Sequence, residues 1–231
     1  MAHTRSSKLQ KSANAVKVRR DREEMQKKKT PSVSLDELCN ILLRTGSLEF
    51  GTFKLASGLL SPYYVNLRLI PSNPEAFQRT VAMYVSMFEP DLIKRTDRLV
   101  GVPTAGLAYA AGVALNLSKP LLYVRREQKE QARDRRIEGL LQPGDGVVVL
   151  DGVVTTGKRF LEVVQAIRAE GGMVEDAVVL LDRQQGAQEY LKKNGVTLHS
   201  FATMRRIANR LLSLGTIDEK QHDEIVRQIA S

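Results

Sequence analysis

The sequence predicts an α/β fold, a mostly parallel sheet covered by helices on both faces, and three observations carry that prediction. From residue 121 onward, short apolar runs alternate with helix-like segments, the pattern of strands joined by helical crossovers. Residues 99–118 carry no charge but are interrupted by Gly101, Pro103, Thr104, Gly106, Gly112 and Asn116. That stretch divides into a strand, a Gly-containing turn and an Ala-rich helix, which is a better reading than a membrane span. The run VVVLDGVVTTGKRF at 147–160 places four aliphatic residues directly before Asp151 and a Thr-Thr-Gly turn.

The elements follow in order. Ser34-Leu35-Asp36-Glu37 is a capping-box pattern that opens a helix to about Arg44, with Cys39 among Leu38, Ile41 and Leu42 as a buried thiol. Residues 48–56 and 62–67 read as two short strands joined by a turn around Ser57-Gly58. A helix over about 74–88 comes next, then the strand, turn and helix of 99–118. Strands at 121–124 and 147–150 flank a polar basic run. A helix at 159–169 ends at Gly171-Gly172, a C-terminal stop signal. A strand at 177–181, a helix at 187–193, a strand at 196–201 and two terminal helices complete the chain.

The chain has 231 residues, 42% of them hydrophobic and none tryptophan, enough for one domain with a proper core. One cysteine excludes a disulfide framework and a cysteine-based zinc site. His3, His199 and His222 are far apart in sequence, so neither a metal centre nor a histidine triad is expected.

Thirty-five Lys and Arg against 26 Asp and Glu leave a net charge of +9, a balance that suits phosphate-bearing partners. Residues 1–30 hold ten basic and three acidic side chains, so most of the excess lies there. With no aromatic residue and few large aliphatics, residues 1–32 read as a basic disordered tail before a folded domain at 33–231. The tail has no aromatic platform for bases, so a solubilising role carries more weight than nucleic-acid contact, which stays as the alternative. It has no apolar signal core, and no secretory leader is expected. A second cluster, RREQKEQARDRR from Arg125, has no apolar face and reads as a mobile loop.

In an open α/β sheet, ligands bind beyond the carboxyl ends of the strands. Asp151 stands at such an end and can accept hydrogen bonds from sugar hydroxyls. The Thr155-Thr156-Gly157 turn can aim backbone N–H groups, two hydroxyls and a helix N-terminus at one phosphate. Residues 152–158 also match G-x-x-x-x-G-K, but Arg159 occupies the place where a P-loop needs Ser or Thr for magnesium. Sugar plus phosphate is the better fit.

The strand–Asp–turn–TTG pattern resembles the 5-phosphoribosyl-1-pyrophosphate (PRPP) signature of type I phosphoribosyltransferases. FKLASGLLSPYYVNLR (53–68), LVGVPTAGLAYA (99–110), the basic loop with IEGLLQPGD (137–145) and VVLLDRQQG (178–186) narrow the resemblance to orotate phosphoribosyltransferases, in particular the phosphoribosyltransferase domain of eukaryotic UMP synthase. The resemblance implies a type I phosphoribosyltransferase fold with a small N-terminal hood. It also implies transfer of the phosphoribosyl group from PRPP to orotate, in the cytoplasm, by a homodimer with no membrane partner. Magnesium is the implied cofactor, held mainly by PRPP.

By the same resemblance, Asp151, Thr155, Thr156 and Gly157 hold the ribose hydroxyls and 5-phosphate. Thr104, Ala105 and Gly106 contact pyrophosphate. Arg125, Arg126 and Lys129 belong to a loop that closes over pyrophosphate in the neighbouring subunit, with Lys129 and Asp151 catalytic. Arg183, Tyr64 and Lys54 face orotate. The chain departs from the family pattern at four positions. Gly152 replaces a second acid, Ala56 a lysine, and Gln131 and Ala132 a His or Tyr followed by Gly. A catalytically impaired homologue that senses PRPP or a nucleotide is therefore the alternative expectation.

Overall fold

The computed structural model describes residues 32–54, 58, 60–125 and 136–230. The tail expected at 1–32 falls, but for Ser32, outside the described residues, as do Ala56, Arg126, Lys129, Gln131 and Ala132.

Helix α1 (Leu35–Arg44) begins as its capping pattern predicts, the Ser34 hydroxyl accepting from Glu37 N at 3.2 Å. It buries Leu38, Cys39, Ile41 and Leu42. Strands β1 (Leu48–Lys54) and β2 (Leu60–Val65) pair antiparallel in a hairpin of their own. A 3-10 turn (Leu67–Ser72) leads to α2 (Pro74–Ser86), which Asn73 caps and Pro74 opens. A short α3 (Pro90–Lys94) precedes β3 (Arg98–Gly101) and α4 (Gly106–Leu117). Next come β4 (Leu121–Val124), β5 (Ile137–Glu138), β6 (Gly146–Val154), α5 (Lys158–Ala169) and β7 (Met173–Asp182). Helix α6 (Ala187–Lys193), β8 (Thr197–Thr203), α7 (Met204–Ser213) and α8 (Glu219–Ala230) close the chain.

The main sheet has the order β5-β4-β3-β6-β7-β8, parallel throughout except for β5, which runs antiparallel to β4. Strand alternation sorts its side chains to two faces. Leu99, Val148, Leu150, Val178 and Leu180 pack with Tyr84 of α2 and with Tyr109 and Val113 of α4. Val100, Leu122, Val147, Val149 and Val179 pack with Phe160, Val164 and Ile167 of α5. The two-faced cover explains why β6 and β7 read as continuous apolar runs. No helix among the described residues is long and apolar enough to cross a membrane.

Three elements lie outside the sequence expectation: the 3-10 turn, α3 and the two-residue β5. All are too short for a periodic signal. Strand β6 is also longer than expected. Its pairing with β3 stops at Gly101↔Leu150, but its pairing with β7 continues through Asp151↔Val179 to Val154↔Asp182. Asp151 therefore sits not at the strand's end but at the point where one neighbour ends and the other continues. Backbone pairing on a single side is enough to hold a polar residue extended where the apolar run stops.

Candidate active site

The step left by β3 is filled by the turn 102–106. Val102 N donates to Leu150 O at 2.8 Å, and Gly106 N donates to Val102 O at 3.0 Å. The Pro103–Thr104 peptide is cis. Gly106 is required by close approach, since a Cβ there would lie 2.6 Å from Leu150 O and 3.2 Å from Asp151 Oδ1. Gly106 is thus brought against Asp151, with Thr104 and Ala105 in the same turn.

Asp151 is held from several sides. Gly152 N donates to its Oδ1 at 2.7 Å, and the Tyr84 hydroxyl donates to its backbone O at 2.7 Å. Burial pushes its carboxyl up to about 7, against the lowering effects of the Gly152 N–H and the Arg159 charge.

After β6, Thr155 and Thr156 form the turn into α5, with Thr155 half-buried and Thr156 exposed. Gly157 is the N-cap at φ +80, a left-handed conformation that favours glycine, and a Cβ there would meet Leu191 Cγ at 3.2 Å. No side chain caps α5. Its first-turn N–H groups are oriented for an anion, where the helix dipole also favours negative charge.

Arg183 follows β7 at the same edge of the sheet. It is only 8% exposed; its Nε donates to the Tyr63 hydroxyl at 3.2 Å, and its Nη2 is buried with no hydrogen-bond partner among the described residues. Tyr64, the next residue on β2, faces the other way. Its ring stacks on Phe53 at 5.6 Å, and its hydroxyl accepts from Arg68 Nη2 at 3.3 Å. Lys54 ends β1 exposed, opposite Leu60. The structure therefore brings Tyr63, rather than Tyr64, against Arg183. Sequence reasoning missed Tyr63, although the alternation of β2 marks one of two adjacent tyrosines as inward-facing.

Arg125 lies beyond β4, where its N donates to Arg136 O at 2.8 Å and its Nε is 3.2 Å from Glu138 Oε1. With Pro103, Arg136 and Arg159 it lines a cavity of about 150 Å³ beside the 102–106 turn. The positions of Arg126 and Lys129 lie outside the described residues. No group of three or more His, Cys, Asp or Glu converges to hold a metal among the described residues. Asp151 is the carboxylate that borders the turn, and Gly152 offers none.

A parallel sheet with a hairpin against its carboxyl edge and a strand–carboxylate–Thr-Thr-Gly turn into a helix is the architecture of the type I phosphoribosyltransferases. No protein-family model matches the chain. The chain is 40% identical over 189 residues to orotate phosphoribosyltransferase of Pyrobaculum islandicum, covering 81% of this chain and 95% of that protein. The orotate phosphoribosyltransferase structure from Aeropyrum pernix superposes with a TM-score of 0.70 at 36% identity, over 78% of this chain and 99% of that one. Leishmania donovani UMP synthase gives a TM-score of 0.76 at 28% identity, over 86% of this chain and 42% of that longer one. The chain belongs to the orotate phosphoribosyltransferase family.

Proposed function

We propose that the protein transfers the phosphoribosyl group of PRPP to orotate, releasing pyrophosphate and orotidine 5'-phosphate in cytoplasmic pyrimidine synthesis. The observation that carries this is the juxtaposition of Asp151, the Gly106 turn and the uncapped N-terminus of α5 at one edge of the sheet, with a buried, unsatisfied Arg183 at the end of β7. Thr155, Thr156 and Gly157 take the 5-phosphate, and Asp151 takes the ribose hydroxyls. Thr104, Ala105 and Gly106 offer backbone groups to pyrophosphate. Arg183 and Lys54 receive orotate, with Arg183 meeting the carboxylate.

The N1 atom of the pyrimidine forms a bond to ribose C1 as the C1–O bond to pyrophosphate breaks, through an oxocarbenium-like state, and the N1 proton passes to the departing pyrophosphate or to solvent. The nearby Asp151 carboxylate stabilises positive charge developing on the sugar, while backbone N–H groups and basic side chains take the negative charge of the leaving group. Arg125 and, following it in sequence, Arg126 and Lys129 supply those cations and exclude water. The donor set suits a magnesium ion carried by the substrate, with Asp151 as its protein contact. Bound there, magnesium would neutralise the charge of the departing pyrophosphate.

We further propose a homodimer. Leu121 and Tyr123 of β4 are 37% and 44% exposed, and Leu115 of α4 is 82% exposed. Because Leu122 and Val124 turn to the α5 face, Leu121 and Tyr123 lie on the opposite face, which α2 and α4 cover elsewhere in the sheet. A second copy seated there is next to the strand from which Arg125 departs.

Loss of orotate absorbance on adding PRPP and magnesium tests the activity. Turnover is expected, and Lys129→Ala should lower kcat by about 100-fold or more. Wild-type turnover no greater than that of the variant would refute the assignment.

A further inference from the structure

We propose that Tyr63 is a positioning residue for Arg183, fixing the guanidinium so that its unsatisfied Nη2 meets the carboxylate of the acceptor base. The inference rests on the orotate reading above and goes beyond it, because Tyr63 itself touches no reacting atom.

Tyr63 is fully buried, and its hydroxyl accepts the Arg183 Nε hydrogen bond at 3.2 Å. The guanidinium carbon also lies 4.8 Å from the centre of the Tyr63 ring, within cation–π range. One side chain thus supplies both a hydrogen-bond acceptor and an aromatic surface, two constraints on a group that otherwise rotates about several bonds. Burial raises the Tyr63 phenol above its ordinary value even beside the arginine charge, so it stays neutral.

Among the described residues no carboxylate pairs with Arg183. A buried cation that lacks a counter-charge is costly, and a neutral phenol compensates it only in part. The remaining demand is expressed at Nη2, which is buried and has no hydrogen-bond partner among the described residues. A ligand anion completes it. For such a site to discriminate, the arginine must be held in place before the ligand arrives, since ordering it on binding would reduce affinity.

Tyr63 is itself held firmly. The Ser61 hydroxyl lies 2.6 Å from Tyr63 O and 2.8 Å from Gln228 Oε1 of α8. The Gln228 amide in turn donates to Leu60 O at 3.4 Å. The C-terminal helix therefore anchors the strand that carries Tyr63, and the ring sits on a braced backbone rather than on a hairpin paired only with itself.

The test is Tyr63→Phe, which removes the hydroxyl and keeps the ring. The expected result is an orotate KM raised about tenfold with kcat and the PRPP KM within about twofold of wild type. Inhibition by uracil, which lacks the carboxylate, should be unchanged, and thermal unfolding should confirm a folded variant. An orotate KM within about twofold of wild type overturns the role. Equal weakening of orotate and uracil overturns it too, because that marks loss of ring packing alone. Wild-type protein without orotate turnover overturns the activity and this inference together, whereas an active wild type with an unaffected variant overturns the positioning role alone.

Discussion

Asp151 shows how much a single residue owes to its surroundings. Its carboxyl titrates near 7 in the fold against 3.8 in the open chain, chiefly because it is buried. A raised acid favours the folded state while protonated, so its contribution is complete below pH 3.8 and is lost as pH rises through about 7. Asparagine mimics the neutral carboxyl at nearly the same volume. Ligand-free Asp151→Asn is therefore expected to be more stable than wild type at pH 8, by up to about 4 kcal/mol. The difference should vanish near pH 4, as read by denaturant melts at both pH values, and activity should be lost at all pH values. Equal stability at pH 8 would show that the carboxyl is not strained by burial. That Asp151 stands where the apolar run stops was legible in the sequence, because a carboxylate directly after four aliphatics is conspicuous. Its raised pKa was not legible, since the turn that covers it comes from residues 102–106, far away in the chain.

At the scale of elements, the departure from the family pattern at Gly152 acquires a physical reason. A Cβ at Gly152 would lie 3.2 Å from Leu67 Cδ1 and 3.3 Å from Tyr109 Cε2, so the 3-10 turn and α4 close directly over the strand. The Tyr109 hydroxyl seals this contact by donating to Leu67 O at 2.5 Å. An aspartate introduced at 152 must shift the Leu67 and Tyr109 side chains and place a second carboxylate beside Asp151. Gly152→Asp should therefore lower stability by about 2–4 kcal/mol and fail to raise kcat, measured by urea unfolding and the orotate assay. A stable variant with higher kcat would show that the missing acid limits the rate. Periodicity located most elements because each long helix and strand carries its own apolar pattern. It missed the 3-10 turn that makes this contact, whose six residues include Pro71 and complete no helical period.

For the whole molecule, the charge that dominates the composition is concentrated at the N-terminus, and the folded part is close to neutral with a local basic excess beginning at Arg125. The apolar face at Leu115 and Tyr123 gives the dimer a definite prediction. Leu115→Glu combined with Tyr123→Glu should convert dimer to monomer in analytical ultracentrifugation and reduce kcat with it, because the loop would lose its neighbouring site. A wild-type monomer with full activity would refute both points. The sequence by itself determined the fold class, the strand and turn around Asp151, and the family, because these depend on local pattern and on ordered motifs that neighbouring residues carry together. Only the tertiary structure decided which of two adjacent tyrosines holds Arg183, how tightly Leu67 and Tyr109 pack over Gly152, and how far Asp151 is shifted. Each of those depends on contacts between segments distant in the chain, and packing at close range is a property of the assembled elements rather than of any one of them.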